Sequence, residues 1–139
     1  RVAVVGCCEG ELDRIYDAVR KVQDRDGISL DLLICCGDFQ AVRDYVDLEC
    51  LSCPMSRRNM MDFSKYYTGE KKAPITTIFV GGKHEAPNHL RDLYYGGWVA
   101  PRIWYLGYAG VVRVGSLRIA GLSGMYKPAD YYSGHCECP

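Results

Sequence analysis

Three short apolar runs, residues 2–6, 30–36 and 75–80, each end in a loop that mixes small residues with acidic, thiol or imidazole side chains. Continuous apolar runs of this length are what strands buried on both faces of a parallel sheet look like. The first opens onto Cys7-Cys8-Glu9-Gly10, the second onto Gly37-Asp38-Phe39-Gln40, and the third onto Gly81-Gly82-Lys83-His84-Glu85. Open α/β sheets gather their chemistry outside the C-terminal ends of their strands. A sheet built from these runs would bring Cys7, Glu9, Asp38 and His84 to one crevice.

The segments between the runs support that layout. Leu12, Ile15, Tyr16, Val19 and Val22 have the spacing of an amphipathic helix, with Glu11 and Asp13 at its start and Arg20 and Lys21 at its end. Residues 24–27 should break it. A helix is predicted over 41–50, with Val42, Tyr45 and Val46 on one face, and Pro54 interrupts the segment after it. A second helix is predicted over 59–67, then a polar turn over 69–74. A short helix over 88–95 leads to Gly96-Gly97 and Pro101. Strands are predicted over 103–106, 110–114 and 117–122, the last two joined through Gly115-Ser116. The run 2–6 reads as a central strand. Residues 126–139 show no period and read as a loop leading to more structure. The pattern is a layered, sandwich-like α/β domain, parallel at first and then hairpin-rich, with no linker or repeat.

Composition narrows the classes. A hydrophobic share of 48% argues against disorder. Lys+Arg and Asp+Glu both number 17, so the overall charge gives no argument for nucleic acid. A local basic patch from Arg57, Arg58, Lys65, Lys71 and Lys72 stands on even terms with a solvated connection. No apolar run approaches the roughly 20 residues that span a bilayer, and no signal-peptide pattern is present, so no membrane is expected. The eight cysteines include four at the ends of apolar runs, where a free thiol packs as a small hydrophobe; a reducing intracellular compartment is expected. Cys50-x-x-Cys53 with Cys136-x-Cys138 is the spacing of a four-thiolate zinc site only if the pairs meet in space; unpaired thiols are favoured.

A two-metal phosphodiesterase needs a carboxylate that bridges both cations, flanking ligands, and a proton donor near the leaving oxygen. Asp38 is placed to bridge, Cys7 as a thiolate and Glu9 as an oxygen ligand stand beside it, and His84 is the candidate acid. Glu85 would orient the His84 ring or act as a ligand. Each has a plainer use: Cys7 in the core, Asp38 capping the helix after it, Glu9 as an exposed charge. Taken singly, the plainer use is favoured for Cys7 and Glu9, and convergence favours function for Asp38 and His84.

The stretches Gly6-Cys7-Cys8-Glu9-Gly10-Glu11-Leu12-Asp13, Cys36-Gly37-Asp38-Phe39-Gln40-Ala41-Val42-Arg43 and Gly81-Gly82-Lys83-His84-Glu85-Ala86 resemble the RNA lariat debranching enzymes, of the calcineurin-like metallophosphoesterases. So do Tyr95-Gly96-Gly97-Trp98-Val99-Ala100-Pro101, Ser123-Gly124 and Gly134-His135-Cys136-Glu137. The resemblance implies an α/β sandwich of α/β/β/α layers, with residues 1–139 as the N-terminal part of one metallophosphoesterase domain, incomplete at its C-terminus. It implies metal-dependent hydrolysis (manganese, zinc or iron) of the 2′,5′-phosphodiester at intron branch points, with branched lariat RNA as partner. The compartment it implies is the nucleus, alone or together with the cytoplasm. By the same resemblance Cys7 and Asp38 are metal ligands, Asp38 bridging, and His84 is the general acid.

Two positions depart from that pattern. Glu9 stands where the family has a ligating histidine, and Lys83 where it has a ligating asparagine. A carboxylate can bind manganese, iron or zinc, with a shift toward harder ions. An ammonium offers no lone pair. A Lys83–Asp38 ion pair is expected to fill part of the site, leaving one metal or none; in an RNA-binding relative, Lys83, Arg57, Arg58, Lys65, Lys71 and Lys72 are instead the candidate phosphate contacts. The alternative to an impaired debranching enzyme is a catalytically silent RNA-binding relative or an inert domain fragment.

Overall fold

The computed structural model describes residues 1–133. The chain forms β1 (Val2–Val5), α1 (Leu12–Asp26), β2 (Leu32–Cys35), α2 (Tyr45–Cys50), a 3-10 turn (Met55–Arg57), α3 (Phe63–Tyr67) and β3 (Thr76–Phe79). It continues through α4 (Pro87–Asp92), β4 (Gly97–Ala100), β5 (Ile103–Tyr105), β6 (Ala109–Val114), β7 (Leu117–Leu122) and α5 (Pro128–Tyr131). The tail segment Gly134-His135-Cys136-Glu137, and with it the Cys136-x-Cys138 pair, lies outside the described residues.

The first sheet has the order β1-β2-β3-β5-β4. The first four of these strands run parallel, in a register that places Val5, Cys35, Phe79 and Tyr105 in one row across the sheet. All four chains therefore leave the sheet at the same edge. β4 closes the far side antiparallel to β5, with a bulge between Trp98 and Ala100.

Alternate side chains divide the sheet into two faces. Leu33, Cys35, Phe79, Ile103 and Tyr105 face the helices and join Leu12, Tyr16 and Val19 of α1 and Phe39, Phe63 and Tyr66 in the main core. Phe39 stacks on Phe79 with ring centroids 3.9 Å apart. Leu32, Ile78 and Leu106 face the other way, against Val112, Val114 and Ile119 of the β6/β7 hairpin. Helices, sheet and hairpin thus stack as α/β/β. The hairpin's outward face leaves Val111 and Leu122 exposed.

α1 forms as its spacing predicts and runs through residues 24–26 before Gly27 ends it. Gly27 takes a left-handed φ of 59° and returns its N–H to the Gln23 carbonyl. Tyr16 is fully buried, and its hydroxyl is satisfied by Thr77 Oγ1 at 2.9 Å. No helix among the described residues is long and apolar enough to cross a membrane.

Several local expectations are corrected. Among the described residues β1 lies at the edge of the sheet, where a central position was expected, and Val4 is 66% exposed because the hairpin does not extend over it. The helix expected over 41–50 begins only at Tyr45: Asp44 is its N-cap, accepting from the Asp47 N–H at 3.0 Å. That start turns Tyr45 and Val46 to solvent and buries Val42 in the preceding segment. The helix expected over 59–67 is confined to Phe63–Tyr67. β4, from Gly97, was not expected.

Candidate functional site

The three loops that leave the sheet edge are bound to one another. Cys8 N donates to the Gly37 carbonyl at 3.1 Å, joining the first loop to the second. Gly82 passes so close to the second loop that a Cβ there would stand 2.2 Å from Asp38 Oδ1 and 2.5 Å from Asp38 N; only glycine allows the approach. His84 N donates to Asp38 Oδ1 at 2.9 Å.

Glu85 completes the assembly. It is buried, and Oε1 accepts from Phe39 N at 2.7 Å and Gly82 N at 3.1 Å, while Oε2 accepts from Gln40 N at 2.9 Å. Burial pushes its carboxyl up to about 7 against the lowering effect of these three amides. Both oxygens are committed to backbone, so Glu85 positions the Asp38 loop and does not orient the His84 ring. The loop needs such support. Asp38 and Gln40 sit at φ of 45° and 56°, a left-handed region that costs a side chain-bearing residue about 1–2 kcal/mol.

Asp38 is the centre of the group. It is buried, with Oδ2 3.4 Å from His84 Nδ1. It does not cap α2, since Asp44 does. Cys7 is exposed beside it, and the Asp38 charge, then desolvation and Glu9, hold the Cys7 thiol above its ordinary value. A thiol held that way stays protonated at neutral pH. Glu9 is exposed, at a left-handed φ of 47°.

Lys83 is also exposed, and the expected Lys83–Asp38 ion pair does not form. His84 takes that place, through its N–H and its ring. Among the described residues, no group of three or more His, Cys, Asp and Glu side chains is disposed to hold a metal ion.

Three of the five basic residues have partners of their own. Lys65 lies 3.5 Å from Asp62 and 3.9 Å from Asp13, and Lys71 pairs with Asp13. Arg58 donates to the carbonyls of Glu49 at 2.6 Å and Cys53 at 3.3 Å. Arg57 and Lys72 are exposed. Cys50 and Cys53 are free thiols, as are Cys7, Cys8, Cys35 and Cys36.

A second polar cluster escaped sequence reasoning. Asp47 is fully buried and accepts from Arg43 N, Nε and Nη2 at 2.9, 2.7 and 2.9 Å and from Asn88 Nδ2 at 2.6 Å. It ties α2 to α4, the elements that come after the Asp38 and His84 loops. Its one signal was the i, i+4 spacing of Arg43 and Asp47.

The model of the calcineurin-like phosphoesterase family matches residues 1–135. Over all 139 residues the chain is 58% identical to the lariat debranching enzymes of Danio rerio and Homo sapiens, and 53% identical to that of Drosophila melanogaster. It covers 24%, 26% and 26% of those proteins respectively, so it spans about a quarter of the length of the curated relatives it matches.

Proposed function

Because the chain belongs to the calcineurin-like phosphoesterase family, we propose that it is part of a lariat debranching enzyme whose catalytic centre is impaired at Glu9 and Lys83. The reaction is hydrolysis of the 2′,5′-phosphodiester at the branch point of excised introns, in the nucleus. These residues then form part of a single metallophosphoesterase domain. The observation that carries the reading is 58% identity to debranching enzymes over a span of all 139 residues, which takes in the three site loops.

A divalent metal (manganese, zinc or iron) is the cofactor this reading implies. The residues present do not fit a two-cation centre. Glu9 is turned to solvent, Lys83 has no lone pair to offer, and Asp38 has one oxygen on the His84 N–H and the other facing the His84 ring. What the chain does supply is a charge and a proton. Lys83, exposed next to His84 in the same loop, offers an ammonium complementary to a phosphodiester. Asp38 faces Nδ1 of His84, which leaves Nε2 as the nitrogen able to hand a proton to a departing ribose oxygen.

The test is cleavage of a labelled branched RNA in manganese, by the unchanged protein and by the Glu9→His/Lys83→Asn double variant. Little turnover by the first and a large rise in the second are expected. Equal turnover by both would end the claim of impairment. Linear 3′,5′-linked RNA cut as readily as branched RNA would overturn the debranching reading itself.

A further inference from the structure

Toward the start of β3, away from the loop that carries Asp38, a pocket of about 210 Å³ opens between the sheet and the β6/β7 hairpin. Trp98 of β4 and Trp104 of β5 form one wall, and Val112, Arg113 and Val114 of β6 form the other. No residue of β7 lines it, so β6 borders the pocket with the edge that β7 leaves open. The two indoles meet at a steep angle with centroids 5.1 Å apart, and Trp98 is 59% exposed. A large apolar ring thus stands in solvent beside an unpaired strand.

The backbone of β6 selects the kind of occupant. The hairpin closes on the turn Gly115-Ser116, with Val114 opposite Leu117 and Gly115 at a left-handed φ of 59°. Residues that flank such a turn exchange backbone hydrogen bonds, and bonded and non-bonded positions alternate along an antiparallel pair. Val114 and Val112 are therefore bonded to β7, and the N–H and C=O groups of Arg113 and Val111 point the other way. Among the described residues no strand pairs with them there. The side chains select its charge. Arg113 lies directly opposite Arg118 across the hairpin. Arg113 Nε donates to the Gly115 carbonyl at 3.1 Å, and no carboxylate among the described residues pairs with either guanidinium. Like charges placed opposite one another destabilise a strand pair, and an anion beside them relieves that cost.

We propose that the open edge of β6 and the Trp98/Trp104 pocket bind an extended segment of a partner protein in which apolar and acidic residues alternate, added to the hairpin as a third strand. In strand addition the main-chain bonds supply affinity and pockets for alternate side chains supply specificity. Side chains of the added strand level with Arg113 share its outward face, and those level with Val112 and Val114 turn inward. The first set meets the two guanidiniums, which calls for carboxylates, and the second enters the tryptophan pocket, which calls for apolar groups. The chain's own continuation leaves from the other end of the hairpin, where Ser123 Oγ donates to the Gly107 carbonyl and Gly124 N to the Gly81 carbonyl. None of the crevice loops takes part, so the proposal stands apart from the debranching reading.

The protein's two tryptophans both line the pocket, so intrinsic fluorescence reports on it directly. The probe is a blocked peptide of alternating leucine and glutamate, long enough to span β6, titrated into the unchanged protein up to about 1 mM, the weak end of specific binding. A saturable change in emission is expected, with affinity that falls as salt is added. Trp98→Ala should weaken binding roughly tenfold, the scale of a lost aromatic anchor, with Trp104 still reporting. A peptide of alternating leucine and lysine should bind the unchanged protein at least about tenfold more weakly, and the Arg113→Glu/Arg118→Glu variant should reverse the order of the two peptides. Misfolding cannot imitate a reversal. No saturable binding by the unchanged protein, equal affinity for both peptides, or an affinity untouched by Trp98→Ala would each overturn the proposal. Emission that shifts with protein concentration alone would assign the edge to a second copy of this chain, and overturn it likewise.

Discussion

Removing the Glu85 carboxylate should undo the alignment of the site loops before it disturbs the sheet. Three backbone amides, Phe39, Gln40 and Gly82, converge on its two oxygens at 2.7–3.1 Å. Glu85→Ala leaves all three without their partner. A buried donor that loses its acceptor costs about 1–3 kcal/mol, so three set a ceiling near 9 kcal/mol. Release of a buried charge and entry of water into the vacated space offset much of that, and a net loss of about 3 kcal/mol is expected. Glu85→Gln should cost about half as much. Its one remaining carbonyl can still serve Phe39 and Gly82, while its NH2 would face the Gln40 N–H donor to donor. Urea unfolding gives the stability order, unchanged above Gln above Ala. Amide exchange gives the location: protection at Phe39, Gln40 and Gly82 should fall at least tenfold in Glu85→Ala, while Leu33 and Ile78 in the central strands change only with global stability. A loss under about 0.5 kcal/mol for both variants would refute the claim that this carboxylate holds the loops together. So would unaltered exchange at the three amides.

Gly82→Ala should destabilise the protein by about 1–3 kcal/mol, since the added methyl meets the Asp38 carboxylate and backbone head on; an unchanged thermal midpoint would refute the close approach. Asp47 supplies a pH signature. Burial pushes its carboxyl up, but the Arg43 guanidinium and N–H and Asn88 outweigh that and bring it down to about 2. A depressed carboxylate contributes stability that is present above its unfolded value near 3.8 and is lost as pH falls through 2, here roughly 2 kcal/mol. The gap between the unchanged protein and Asp47→Asn in urea unfolding should therefore narrow by about that amount between pH 6 and pH 2, and a gap independent of pH would sink the assignment. For the metal, the Glu9→His/Lys83→Asn variant should retain more manganese after desalting than the unchanged protein, with Asp38→Ala retaining least. Equal content in all three, by mass spectrometry, would show that these positions do not govern uptake.

Each determinant was legible in the chain, or hidden in it, according to where it lies. Residues 30–36 and 75–80 announce buried strands because both faces of the sheet are covered there, by the helices on one side and the hairpin on the other. The same apolar character in β1 could not reveal that the strand sits at an edge, because that depends on which neighbours arrive to pair with it. The late start of α2 was present in the sequence as Asp44 three residues before Asp47, a capping signal outweighed by the apolar spacing of Val42, Tyr45 and Val46. Asp38 and His84 could be named as partners because reactive side chains at the ends of adjacent parallel strands converge wherever the register is level, and here Cys35 and Phe79 are level. Glu85 resisted because its partners are peptide N–H groups, which every residue but proline carries and which leave no mark in a sequence. Lys83 was misplaced for a related reason: charge alone argued for a pair with Asp38, but a loop fixed by the His84 N–H on one side and the Glu85 carboxylate on the other has already decided which side chain faces inward. Backbone hydrogen bonding thus sets the electrostatics of this site. A substitution at Lys83 accordingly alters what the crevice presents to a ligand, whereas a substitution at Glu85 alters whether there is a crevice.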